Sequence, residues 1–181
     1  QSLLQISKME AGLIQINREK LPLMETIINA VNRVYPNAGA KEIEFVFDYD
    51  EALENDCILQ DKKWLGEAFI NVFDNAIKYS PAGSEVYVRI QKRTDFIRIE
   101  IEDNGVGIPK VEYHKIFQRF FRGSLPEVKE ENGSGIGLFL SRKIIEQHGG
   151  TITVSSNLEL KKELDGKTGS VFIIQLPDNA K

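Results

Sequence analysis

Cysteine is almost absent from this 181-residue sequence: Cys57 stands alone. That excludes a disulfide framework and a thiolate metal cluster. Histidine is nearly as scarce, with only His114 and His148, so no histidine-rich ligand set can be assembled. No apolar run approaches the roughly 20 residues that a membrane-spanning helix needs. There is no basic stripe either; 23 Lys and Arg stand against 27 Asp and Glu, a net charge of −4, which argues against nucleic acid as a partner. The lone cysteine and the lack of a signal segment fit the cytoplasm. Also missing is G-x-x-x-x-G-K-[ST], and the glycine-rich segment near residue 135 does not follow a first strand, so neither a P-loop nor a Rossmann domain is expected. A hydrophobic content of 41% over this length fits one well-filled domain.

What is present begins with residues 71–79, Asn-Val-Phe-Asp-Asn-Ala-Ile-Lys-Tyr. At about 100° per residue, Asn71, Asn75 and Lys78 share a narrow arc with Tyr79 at its edge. Leu65, Phe69, Val72, Phe73 and Ala76 point the other way, so one face packs and the other can hold a ligand. The residue types suit a magnesium–triphosphate site. Mg²⁺ is a hard ion that takes only one or two protein oxygens when phosphate supplies the charge, so the Asn75 amide can serve as its ligand. Lys78, one turn on, can neutralise phosphate oxygens.

An alternating strand pattern over 96–102 runs into Asp103-Asn104-Gly105-Val106-Gly107-Ile108-Pro109. A carboxylate at Asp103 can accept a hydrogen bond from the exocyclic amine of adenine, whereas guanine would set a carbonyl against it. Gly105 and Gly107 would let backbone approach the base. Farther on, Asn132-Gly133-Ser134-Gly135-Ile136-Gly137-Leu138 feeds a helical run that closes at Gly149-Gly150. Backbone N–H groups freed by these glycines, with the positive end of the helix, make an anion site.

These motifs, in this order and at these separations, resemble the catalytic, ATP-binding domain of sensor histidine kinases. Residues 71–80 look like that family's asparagine box, 103–108 its first glycine box, 116–122 its phenylalanine box and 133–138 its second glycine box, with Gly169-Ser170-Val171-Phe172 similar to the closing glycine and final strand. The resemblance covers roughly residues 20–178 and implies an α/β two-layer sandwich of the Bergerat type. In that fold a mixed, mainly antiparallel sheet is backed by helices, and ATP lies under a mobile lid. It implies ATP and Mg²⁺ as cofactors, with Asn71, Asn75, Lys78, Tyr79, Asp103, Gly105, Gly107, Ile108, Gly133, Ser134, Gly135, Ile136, Gly137 and Leu138 around the nucleotide. Arg122, with Arg119 as second choice, would reach the γ-phosphate, and Asn71 and Arg122 are the catalytic candidates.

The pattern agrees, with strands expected near 43–49, 86–91, 96–102, 151–155 and 170–176 and helices near 24–34, 61–79 and 138–148. Asp61 is the expected N-cap of the second helix and Ser80-Pro81 its stop. The lid, 110–132, has no periodicity and should be mobile. Phe117, Phe120 and Phe121 are expected to pack its base. His148 should cap carbonyls at the end of its helix, and 161–167 reads as a solvated loop.

Residues 1–19 differ in character. The stretch 2–12 is amphipathic and looks like the last turns of the family's dimerisation helix, so the catalytic domain is expected over 20–181. The chain starts at Gln, and a fragment of a longer protein is expected, monomeric and without membrane contact of its own. The family's phosphoacceptor, a histidine followed by an acidic residue, is matched by neither His114 nor His148. The resemblance therefore implies three further things: γ-phosphoryl transfer to a histidine on a dimerisation domain, a receiver domain of a response regulator as the next acceptor, and a parent homodimer that an upstream region can anchor in the inner membrane. Two other readings stand beside it. Hydrolytic ATPases of the same fold carry Glu where this chain has Asn71, and an amide cannot take a proton from water. A degenerate nucleotide-binding scaffold is the other.

Overall fold

The computed structural model describes residues 15–157 and 168–178. The expected dimerisation-helix remnant at 2–12 and the loop at 161–167 lie outside the described residues. In chain order the elements are β1 (Glu19–Pro22), α1 (Leu23–Ala40), β2 (Glu44–Tyr49), β3 (Cys57–Gln60), α2 (Lys62–Tyr79), β4 (Glu85–Lys92), β5 (Phe96–Glu102), α3 (Pro126–Glu130), α4 (Gly137–Gln147), β6 (Thr151–Ser156) and β7 (Ser170–Pro177). Five strands form one sheet in the order β2-β4-β5-β7-β6, parallel between β2 and β4 and antiparallel elsewhere. The expected mixed, mainly antiparallel sheet backed by helices is what the chain forms.

Period-2 alternation decides which face of this sheet is covered. Val86, Val88 and Ile90 of β4, Ile97, Ile99 and Ile101 of β5, and Phe172, Ile174 and Leu176 of β7 are all buried. They pack against the apolar stripes of α1, α2 and α4. The opposite face carries Arg89, Arg98, Glu100 and Glu102, cross-linked by Arg89–Glu102 at 2.5 Å and Arg98–Glu100 at 2.7 Å. Opposite charges side by side suit a water-facing sheet surface.

Helix α2 is the central element. Leu65, Phe69, Val72, Phe73 and Ala76 have no exposure at all, which drives the opposite face toward the ligand cavity. Asp61 caps it as expected, its Oδ1 accepting from the Trp64 N–H at 3.1 Å. At the far end Lys41 Nζ donates to the carbonyls of Ile77, Lys78 and Ser80 at 2.8–2.9 Å. An ammonium there satisfies orphan carbonyls and complements the helix dipole.

Three features depart from the sequence expectation. Helix α1 runs on through Pro36 to Ala40, because Ala38 and then Ile43 are drawn into the core. The strands β1 and β3, four residues each, form an extra antiparallel pair too short to show periodicity. Buried Gln60 fastens it, donating to the Leu21 carbonyl at 2.9 Å and accepting from Thr26 Oγ1 at 2.8 Å. The lid contains a short helix, α3, started by Pro126 at its first turn.

Candidate functional site: a nucleotide cavity

One cavity of about 290 Å³ is lined by Asn71, Asn75, Lys78 and Tyr79 from α2, Asp103, Gly107 and Ile108 from the turn after β5, Arg122 from the lid, and Gly133, Ser134, Gly135, Ile136, Gly137 and Leu138 from the glycine loop. Motifs separated by up to 67 residues in the chain thus converge on one volume. The periodicity of α2 brings its four polar side chains to the wall, and the β5/β7 register brings the Asp103 turn beside the start of β7.

Asp103 is buried, only 6% exposed. Its Oδ1 accepts from the Gly105 N–H at 2.8 Å and the Ser170 N–H at 3.2 Å. Among the described residues no hydrogen bond falls on Oδ2, which leaves that oxygen for a ligand donor. Burial pushes the carboxyl up to about 7, against the opposing pull of the two backbone N–H groups. Two glycines make this geometry feasible. A Cβ on Gly105 would stand 2.7 Å from Asp103 Oδ1 and 2.9 Å from the Tyr79 carbonyl, and one on Gly169 would collide with the Asp103 carbonyl. Gly105 therefore supports Asp103 from behind and lines a neighbouring groove, not the main cavity.

The glycine loop meets the lid at Gly135. Gly135 has φ +68°, and a Cβ there would lie 2.6 Å from the Phe121 carbonyl oxygen. The Phe120 N–H donates to the Gly135 carbonyl at 2.9 Å, and Phe120 itself takes φ +63°. That backbone turns the Phe120 ring outward, 55% exposed, with the Arg119 guanidinium 4.9 Å from its centroid. The expectation that Phe120 packs the lid's base is corrected for this reason. Phe117 does pack there, edge-on to Phe172 at 6.4 Å, and Phe121 is half-buried on the cavity wall. Arg119 is exposed and does not line the cavity. Helix α4 starts at Gly137 with Ile136 at its cap and no side-chain hydrogen bond to its first N–H groups, so an anion has open donors.

The two cations of the cavity are engaged with the lid. Lys78 Nζ donates to the Asn132 carbonyl and lies 5.3 Å from the Tyr79 ring centroid. Burial lowers the Lys78 pKa, Glu131 acts in the opposite direction, and Arg122 adds to the lowering. Arg122 Nη2 donates to the carbonyls of Val128 at 2.8 Å, Lys129 at 3.3 Å and Glu131, closing the end of α3. Both cations thus bind backbone oxygens of the segment that would cover a nucleotide.

Sequence reasoning missed several residues of the wall, among them the polar Asp74, Glu112 and Ser170. Asp74 was legible, since the helical arithmetic that groups Asn71 with Asn75 puts it about 60° from Asn71. Its carboxyl is raised by burial, partly offset by Asn37 and Arg33. Ser170 depends on strand register, and Glu112 on a tertiary bond to the Ser124 N–H; neither leaves a local signal.

The comparisons with known proteins bear on this cavity directly. Residues 60–180 match the family described as histidine kinase-, DNA gyrase B- and HSP90-like ATPase. The sensor-like histidine kinase SenX3 of Mycobacterium tuberculosis is 34% identical over 182 aligned positions, covering 95% of this chain and 42% of the relative. The sensor histidine kinase WalK of Bacillus subtilis is 30% identical over 97% of this chain and 27% of its own length. The chain thus spans less than half the length of these relatives. Among solved structures, the mycobacterial sensor histidine kinase MprB superposes with a TM-score of 0.74 at 32% identity, covering 88% of this chain and 97% of that one. The chain belongs to the histidine kinase-, DNA gyrase B- and HSP90-like ATPase family, and within it to the ATP-binding catalytic domains of sensor histidine kinases.

Proposed function

We propose that the cavity holds Mg·ATP with adenine on Asp103 and the phosphates between Lys78, Arg122 and the glycine loop, and that it presents the γ-phosphoryl group to a histidine on a dimerisation domain of the same protein. The observation that carries this reading is the Asp103 carboxyl, with one oxygen fixed by two backbone donors and the other left for an adenine amine. Asn71, Asn75 and Asp74 offer a hard-oxygen donor set on one helix face. Mg²⁺ takes only one or two protein oxygens when phosphate supplies the rest of its coordination. Asn75, with Asn71 beside it, would hold Mg²⁺. The ion would neutralise phosphate charge and orient the chain for in-line attack.

In the transfer, the bond between the γ-phosphorus and the bridging β-oxygen breaks, a P–N bond to the imidazole forms, and ADP leaves. The imidazole proton goes to a base beside the acceptor histidine, because Asn71 is an amide and takes none. Lys78 and Arg122 must exchange lid carbonyls for phosphate oxygens, so nucleotide binding and lid rearrangement are one event. A receiver domain of a response regulator is the proposed next acceptor, and the cytoplasm the proposed compartment, with anchoring supplied by other parts of a parent homodimer. No helix among the described residues is long and apolar enough to cross a membrane.

The test supplies a phosphoacceptor helical domain in trans with γ-labelled ATP. Label on the added domain that is acid-labile and base-stable is the expected result. ATP turned over only into free phosphate, with an unlabelled acceptor, would overturn the kinase reading in favour of hydrolysis.

A further inference from the structure

Glu112 is a buried carboxylate, 6% exposed, on the short turn Lys110–Glu112 that leads into the lid. Among the described residues no cation pairs with it. Its hydrogen bonds come from one donor, the Ser124 N–H, 3.1 Å from Oε1 and 3.4 Å from Oε2. Burying a carboxylate for a single backbone bond is a poor route to stability. The bond does something more specific. It ties the chain at the point where Arg122 enters the lid, and a Cβ on Gly123 would already press Glu112 Oε2 at 3.3 Å and Val128 at 3.4 Å. The segment Arg122-Gly123-Ser124 is therefore threaded between a fixed carboxylate and α3. Glu112, Arg122 and Gly123 all line the nucleotide cavity.

We propose that Glu112 is the positioning residue of the lid: by holding the Gly123–Ser124 backbone it sets where the Arg122 guanidinium stands over the phosphates and fixes the hinge about which the lid swings. The carboxylate acts on a phosphate contact through the backbone and touches no nucleotide atom. This rests on the ATP reading of the cavity. Its signature is selectivity: a ligand with phosphates senses Glu112 and one without them does not. A carboxylate that merely fills space in the fold would affect both alike, through stability.

The experiment compares the wild type with Glu112→Ala, Glu112→Gln, Arg122→Ala and the double variant Glu112→Ala/Arg122→Ala. Calorimetric titrations with Mg·ATP and with adenosine are run beside thermal unfolding and limited trypsin cleavage at Arg122 and Lys129. Glu112→Ala is expected to weaken ATP binding by about tenfold, as for loss of one charge-assisted contact, with far less change for adenosine. Glu112→Gln, which keeps an acceptor carbonyl, should recover most of the loss. The double variant should bind ATP no worse than Arg122→Ala alone, because the two act in series. Lid cleavage should speed up in Glu112→Ala and return toward the wild-type rate in Glu112→Gln. Additive losses, equal losses for ATP and adenosine, or unchanged ATP affinity and cleavage in Glu112→Ala would each overturn the proposal. Failure of the wild type to bind ATP would instead strike the cavity assignment, and the cleavage rates would still decide whether Glu112 holds the lid.

Discussion

At the scale of single residues the account turns on Asp103, which the fold holds in a setting that penalises its charge. Its folded value of about 7 lies above the ordinary 3.8, so between those values the folded chain binds a proton that the unfolded chain has released. Stability is thus fully present below the unfolded value and falls as pH rises toward 7, by up to about 1.4 kcal/mol per pH unit. Carbon-detected NMR of the free protein should show the Asp103 carboxyl titrating near neutrality, and ATP should move the midpoint down. A midpoint near 4 without nucleotide would contradict the burial argument. Asp103→Ala should keep the fold and weaken ATP binding by about a hundredfold, and unchanged affinity would remove the adenine assignment. Asp103 was legible because a strand pattern ended in an acid followed by two glycines. The engagement of Lys78 with Asn132 was not, since that bond joins side chain and backbone 54 residues apart.

At the scale of elements, two joints hold the site. One is the lid–loop joint at Gly135. Gly135→Ala would meet a positive φ and the Phe121 carbonyl together, a strain of roughly 1–3 kcal/mol. It should loosen the lid and weaken ATP binding while circular dichroism still reports native helix and strand. Native affinity in that variant would contradict the geometry. The other joint lies at Asp61 and His148. Asp61 Oδ1 caps α2, its Oδ2 accepts from the Asn17 N–H at 3.0 Å, and its own N–H donates to His148 Nε2 at 3.0 Å. The 2.7 Å approach of Nδ1 to the Ile144 carbonyl makes Nδ1 the protonated nitrogen. Burial lowers the ring's pKa, while the Ile144 carbonyl and Asp61 favour the charged form and Arg18 opposes it. The sign is opposite to that of Asp103. Stability is fully present above the ordinary 6.5 and is lost as pH falls through the folded value. Urea unfolding should therefore show the wild type losing more stability between pH 7.5 and 5.5 than His148→Gln, and parallel curves would contradict this. The carbonyl-capping role was readable from a histidine before Gly149-Gly150, but the link to Asp61, across 87 residues, was not. Long periodic elements were legible because burial repeats along them, whereas β1 and β3 were hidden by their four-residue length.

At the scale of the whole molecule, a sheet with one apolar and one ion-paired face places the three long helices of the described residues on the same side. The cavity opens among α2, α4 and the turn after β5. The site is thus built from element ends, where backbone donors are free, and framed by the most deeply buried helix. We propose that this chain is a monomer, and light scattering that shows a stable dimer at micromolar concentration would contradict that. The cavity is proposed to select adenine and to hold Mg·ATP. Calorimetric titration with ATP in magnesium, repeated with GTP, tests it most directly. Saturable binding of ATP with no detectable heat from GTP is the predicted result. Absence of ATP binding by the folded chain, or equal binding of both nucleotides, would contradict it.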